Sequence, residues 1–183
     1  MQNPNAYFES RLADYLKAIE SIESAYVEVA NQLEPEHRAI MQRDLKEIER
    51  ITPIKVLAGE KFECAVSAFK KAWRHEVMNK DDRGSVSLGS VLTYLKEQSK
   101  VFTEDSAQAL MTSCERAFER LVKLREKTEP RMKMNKYLLE KMLRFHQENY
   151  RFVQEVLAES EATYGNQGNR NVTQRHSIIT VKV

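Results

Sequence analysis

The sequence predicts an all-α protein: an elongated antiparallel helical bundle of long, coiled-coil-like helices, ending in a flexible C-terminal tail. Three observations carry that assignment. Apolar residues recur at alternating spacings of three and four over long stretches, the period of a helix face and not of a strand. Only five Gly and four Pro punctuate 183 residues, too few for a chain cut into short strands and turns. The 42% of hydrophobic residues beside 31% charged ones suit amphipathic helices that bury one face and hydrate the other. The bundle is assigned to residues 1–160, with a loop near 79–90, and the tail to residues 161–183.

The first helix has the most regular pattern. Phe8, Leu12, Tyr15, Ile19, Ile22, Tyr26, Val29 and Leu33 alternate by four and three throughout, which argues for packing against another long helix at a shallow angle. Pro35 then suits the first turn of a second helix, where a missing N–H costs nothing. That second helix begins with Met41, Leu45, Ile48 and Ile51. At Thr52-Pro53 a kink or restart is predicted, with Thr52 as cap and Pro53 in the first turn. Leu57, Phe62, Ala65, Val66, Phe69 and Trp73 continue its stripe, and Gly59 weakens it by roughly 1 kcal/mol.

Residues 79–90 are rich in turn formers and carry charges with no period. A short helix is expected after them, with Leu88, Val91, Leu92 and Leu95 turned inward. Thr103 followed by Glu104 and Asp105 reads as the next start, a capping hydroxyl ahead of acids that favour the helix dipole. From there Ala107, Leu110, Cys114, Ala117, Leu121 and Leu124 keep the alternation. The phase survives Thr128, Pro130 and Arg131 and enters Asn135, Leu138, Met142, Phe145, Asn149, Phe152 and Val156, with Leu139, Val153 and Leu157 widening the stripe. An unbroken helix of that extent would be roughly 85 Å long, so the chain is either elongated or folded back at Pro130. Asn135 and Asn149 at seam positions have two readings, register-setting polar residues or solvated ones.

Beyond Glu161, Gly, Asn, Gln and Arg dominate to His176, the composition of a disordered tail. The β-branched end (Ile178, Ile179, Val181, Val183) could add a strand to a partner or pack back on the bundle. Fully extended, that tail reaches roughly 75 Å.

Composition excludes several function classes. Net charge is +2, with 29 basic and 27 acidic residues interleaved, so no phosphate-binding stripe forms and nucleic acid is not an expected partner. Mean hydropathy is −0.59 and no apolar run approaches a membrane span, so direct membrane insertion is not expected. The first residues lack the layout of a secretory signal, which predicts a cytosolic chain. Cys64 and Cys114 are expected to be reduced and buried. The four histidines are scattered, and the lone Glu34-Pro35-Glu36-His37 match to a di-iron pattern lacks its second copy. Without a Gly-rich phosphate loop, zinc-protease helix or paired-cysteine motif, no catalytic residue, metal site or cofactor is assigned, and no catalytic activity is predicted.

The C-terminal layout resembles the FlgN-type chaperones of bacterial flagellar type III export. Asn135-Lys136-Tyr137-Leu138-Leu139 carries the resemblance, with Phe145, Phe152 and Val153, and then Tyr164-Gly165 and Gly168. A weaker match is the Ile54–Lys61 segment, with its Glu60-Lys61 pair on an amphipathic second helix. Together these cover about half of the chain. The resemblance implies a small cytosolic helical protein that binds the terminal helices of hook-associated (hook–filament junction) proteins and keeps them unpolymerised before export. It places cargo on Asn135, Leu138, Leu139, Met142, Phe145, Phe152, Val153, Val156 and Leu157, and it implies that Tyr164, with Gly165, contacts the membrane export gate. Two features depart from the family pattern: the chain is long for it, and Pro130 interrupts the C-terminal helix. Subunits that assemble through amphipathic helices expose apolar stripes until they polymerise, and a helix face in a shared bundle can cover them. The competing readings are that these residues are bundle core, or that the long heptads make a self-associating coiled-coil scaffold, for example a homodimer.

Overall fold

A computed structural model describes residues 4–77, 86–101 and 105–163. Among them are four helices and no strand: α1 (Pro4–Gln42), α2 (Leu45–Val77), α3 (Leu88–Ser99) and α4 (Asp105–Thr163). The chain comprises two units, Met1–Lys136 and Tyr137–Val183, so their boundary falls inside α4. It therefore lies within the stretch expected to form a single bundle.

In the first unit the α1 seam is buried in full: Phe8, Leu12, Tyr15, Ile19, Ile22, Tyr26, Val29 and Leu33 all turn inward. Cross-helix contacts give the orientation. Tyr26 meets Phe62 with ring centroids 5.3 Å apart, Lys55 reaches Glu36 and Arg11 pairs with Glu76, so α2 runs antiparallel to α1. Glu9 bonds Ser106, Glu23 bonds Arg120 and Tyr26 bonds Thr128, so α4 runs parallel to α1. The middle of the core is aromatic. The Tyr15 ring lies 6.1 Å from Phe69 and 6.0 Å from Trp73, both edge-on, the arrangement the ring quadrupoles prefer. The Arg11 guanidinium sits 4.1 Å over the Trp73 ring, and the Tyr15 hydroxyl donates to the Leu88 carbonyl at 3.0 Å, tying α3 to the pair. Small residues on α4 (Ala107, Cys114, Ala117) make room for these rings.

Of the three interior prolines, one overturns an expectation and two decide a choice the sequence left open. Pro35 does not start a helix but lies inside α1, Thr52-Pro53 does not restart α2, and α4 continues through Pro130. An interior proline costs about 3 kcal/mol, partly through the carbonyl left unbonded four residues earlier. Here those residues, Asn31, Glu49 and Glu126, are all exposed, so water can satisfy the carbonyls. Burial of Ala39 and Ile40 beyond Pro35, and of Ile51 and Ala58 around Pro53, offsets the remainder at those two sites. Thr52 is not a cap; its hydroxyl donates to the Ile48 carbonyl at 2.7 Å.

The break between α1 and α2 falls instead at Arg43-Asp44. Arg43 has φ 54°, its N–H donates to Ile40 O at 3.1 Å and the Asp44 N–H to Ala39 O at 2.9 Å. That is a Schellman closure built without glycine. Asp44 then caps α2, accepting from the Glu47 N–H at 3.1 Å. Met41 accordingly belongs to α1, and Leu57 is exposed while Ala58 takes the inward position. At the other end of the unit, Ser87 and Ser90 form a reciprocal capping box that starts α3, with Val91, Leu92 and Leu95 buried below it. The expected cap Thr103 lies outside the described residues.

A candidate partner-binding face on the last helix

Two polar arrangements and one apolar face are the candidates for function. The first arrangement sits around Asn135, which is fully buried. Its Nδ2 donates to Leu33 O at 2.8 Å and to Glu36 Oε2 at 2.9 Å. Because both contacts need a donor, the amide orientation is fixed and Oδ1 faces His37 Nδ1 at 2.9 Å. An amide oxygen only accepts, so His37 carries its proton on Nδ1. Both Glu36 oxygens accept from Lys55 Nζ at 2.7 Å. The network joins α1, α2 and α4 with every amide group used, which is the condition under which buried polar groups stabilise a unique packing. Asn135 therefore belongs to the bundle interior, and its assignment to a cargo face is corrected.

The second arrangement is a small cleft of about 120 Å³ lined by Tyr7, Phe8, Arg11, Glu76, Tyr94, Leu95 and Gln98. Its cation is already engaged by Glu76 and Asp14, and its volume is below that of ordinary small-molecule sites. Among the described residues no three His, Cys, Asp or Glu side chains are grouped to hold a metal. In the Glu-x-x-His match, Glu34 pairs with Arg131 at 3.1 Å and His37 is committed to Asn135. Cys114 is buried, as expected, and donates to Leu12 O. Burial pushes its thiol up to about 11. Cys64 differs from expectation and is exposed, because it falls on the outer side of α2, beside Glu63 rather than toward Phe62 and Val66.

The apolar face lies on the described part of the second unit. Phe145 is 53% exposed, Phe152 65%, Val153 51%, Val156 46% and Leu157 58%. Leu138, Leu139 and Met142 are half-buried. Two further residues, Leu143 and Tyr150, are also exposed; Tyr137, exposed as well, stands on the line of Arg144 and Arg151 instead. Leu143 and Tyr150 stand seven apart, one helix line over from Leu139 and Val153, a spacing that an a/d count passes over. Adding that line makes the apolar arc roughly 160° wide at 100° per residue, broader than a two-stranded seam. The polar side carries Glu140, Arg144, Gln147, Arg151 and Gln154. Asn149, unlike Asn135, is exposed. The Lys141 ammonium rests 5.5 Å from the Tyr137 ring centroid, and Phe145 contacts His146 edge-on. The depression beside Tyr150 is lined by residues of a single helix, so it forms no enclosed site.

Tyr164 and Gly165 lie outside the described residues, as does Gly168. In the weaker matching segment, Ile54, Val56 and Leu57 are exposed, while Lys61 pairs with Glu28 of α1 at 2.7 Å. Among the described residues, no helix is long and apolar enough to cross a membrane. In comparisons with known proteins, no family model matches the chain and no curated protein or solved structure is significantly similar to it.

Proposed function

We propose that this chain is a cytosolic, non-enzymatic chaperone of the flagellar type III export kind. It holds amphipathic terminal helices of hook-associated proteins on its last helix and delivers them to the membrane export gate. The observation that carries the reading is the exposed apolar arc on α4, with Phe145 and Phe152 along one edge of it. An arc of that width fits a groove shared with more than one helix, the helix-in-groove mode of recognition. Large aromatic side chains on such a face are the usual anchors of affinity. Cargo helices that order only on binding give complexes that are specific yet releasable. The resemblance at Leu138-Leu139 and Tyr164-Gly165 supplies the cargo class and assigns the gate contact to Tyr164.

Co-elution of the full chain with hook-associated proteins tests the reading. Phe145→Asp and Phe152→Asp should each weaken capture by about 30-fold, the equivalent of a ~2 kcal/mol hot spot, while helicity stays unchanged. Tyr164→Ala should keep cargo and lose the gate. Capture no stronger than that of unrelated proteins would reject the cargo reading. A self-associating scaffold without cargo is the alternative, favoured by the unbroken heptad of α4; it predicts a stable oligomer that no hook-associated protein dissolves.

A further inference from the structure

We infer that the last helix carries a second, offset seam, and that an acidic amphipathic helix of the cargo docks along it with its carboxylates on Arg144 and Arg151. The inference rests on the reading of this face as a cargo surface, and it names the charge that the bound helix must bring.

The offset seam follows from the spacing. In the first seam Leu138, Phe145 and Phe152 take the d positions, and the charged flank is Lys141, Glu148 and Glu155, of mixed sign. Leu143, Tyr150 and Leu157 also stand seven apart, and each is more than half exposed. Taken as d positions of their own heptad, they put Gln147 and Gln154 at a, and Arg144 and Arg151 at e. Two seams offset around one helix hold two helices side by side, which covers an arc too wide for a two-stranded contact. Polar a positions cost stability, so the second contact is the weaker one and depends more on its flank.

That flank is cationic. Three arginines of α4 in the first unit have carboxylate partners: Arg120 with Glu23, Arg125 with Glu129 and Arg131 with Glu34. Arg144 and Arg151 are exposed. Among the described residues no carboxylate pairs with either, although Glu140 and Glu148 stand a turn from Arg144. Tyr137 heads the same line and is exposed; Tyr and Arg are the residue types that interface anchors favour. Arg144, Gln147, Glu148, Tyr150 and Arg151 border a shallow depression, a shape that admits a side chain from a helix laid across it. A guanidinium holds a carboxylate in a two-pronged geometry that an ammonium lacks. A helix with acids seven residues apart meets both arginines whichever way it runs, because the spacing is one heptad. A basic helix is repelled at the same two points, so the flank selects its partner by sign. The mixed flank of the first seam makes no such choice.

The test uses the full chain and measures its affinity for a hook-associated protein and for two synthetic amphipathic helices. The helices share one leucine seam; one carries Glu at flanking positions seven apart, the other Lys. The Glu helix should bind roughly tenfold more tightly than the Lys helix, and Arg144→Glu/Arg151→Glu should abolish that preference. The same double variant should bind the hook-associated protein about tenfold more weakly, the scale of two exposed ion pairs turned into repulsions. Arg144→Lys/Arg151→Lys keeps the charge and should stay within about threefold. Lys123→Glu/Lys127→Glu makes the same change in net charge at two exposed positions of the first unit and should alter neither affinity. Equal binding of the two helices, or equal losses in the two Glu doubles, overturns the inference. Failure of the hook-associated protein to bind, with the helix preference intact, removes the chaperone reading and leaves the offset seam standing. Undiminished binding of that protein to Arg144→Glu/Arg151→Glu removes the offset seam and leaves the chaperone reading standing.

Discussion

Asn135 and Asn149 hold the same seam position, two heptads apart on one helix, and differ completely in surroundings. The first is sealed among Leu33, Glu36 and His37; the second is exposed. The contrast extends to their neighbours. In the first unit the α4 seam of Ala107, Met111, Cys114, Ala117 and Leu121 is covered by α1, whereas in the second Phe145, Phe152, Val153 and Val156 are exposed. One heptad phase thus serves two purposes. It makes a core where partners lie within the same unit, and an exposed apolar face where they do not. The residue types reflect this: the buried stretch is small and tuned to fit aromatic rings, while the exposed stretch is large and aromatic, as interface anchors are.

The largest test of the comparison pairs two aromatic truncations. Trp73→Ala removes a fully buried ring together with its Arg11 and Tyr15 contacts and should cost about 3–5 kcal/mol in urea unfolding. Phe152→Ala should stay within about 0.5 kcal/mol, as exposed positions do. Equal costs for the two would erase the distinction between core and face. The asparagines give a sharper, smaller contrast. Asn135→Ala strands the Leu33 carbonyl and the His37 Nδ1–H and should cost about 1–3 kcal/mol. Asn149→Ala should be neutral, or stabilising by up to about 0.7 kcal/mol through helix propensity.

The smallest effect concerns the thiols. Cys64 should react with a thiol reagent in the folded protein at pH 8, and Cys114 only after unfolding. Burial raises the Cys114 thiol from 9.0 to about 11, so the neutral form is the one the fold favours. The stability this provides is complete below pH 9.0 and is lost as pH climbs through about 11. Urea midpoints should fall over that window, and fall less in Cys114→Ala. An identical fall in both proteins would place the alkaline loss elsewhere, for instance at Tyr15, whose hydroxyl burial also holds neutral.

How much was legible varies by element. The α1 seam was readable residue by residue because eight apolar positions in strict alternation admit one inward face. The Arg43-Asp44 turn is harder to read: Asp44-Leu45-Lys46-Glu47 is a cap pattern, but the prolines nearby give stronger break signals and a left-handed arginine carries no glycine signal. Pro35 reads as a helix start, and Pro53 and Pro130 as kinks or breaks, because the cost of a proline is local and visible, while the burial that offsets it depends on other helices. Of the candidate face, the a/d residues were named in advance. Leu143 and Tyr150 were not, although Leu157 on the same line was, because away from the helix end their place beside the seam shows only in their exposure.

The amino-acid order by itself set the period, and with it the helices, their inward stripes and the unbroken phase of α4. It could do so because a helix repeats every 3.6 residues whatever surrounds it. Tertiary structure alone decided which stretch of that stripe became core and which became surface. Burial depends on neighbours far away in the chain: Glu36, His37 and Lys55 close over Asn135, and among the described residues Asn149 is exposed.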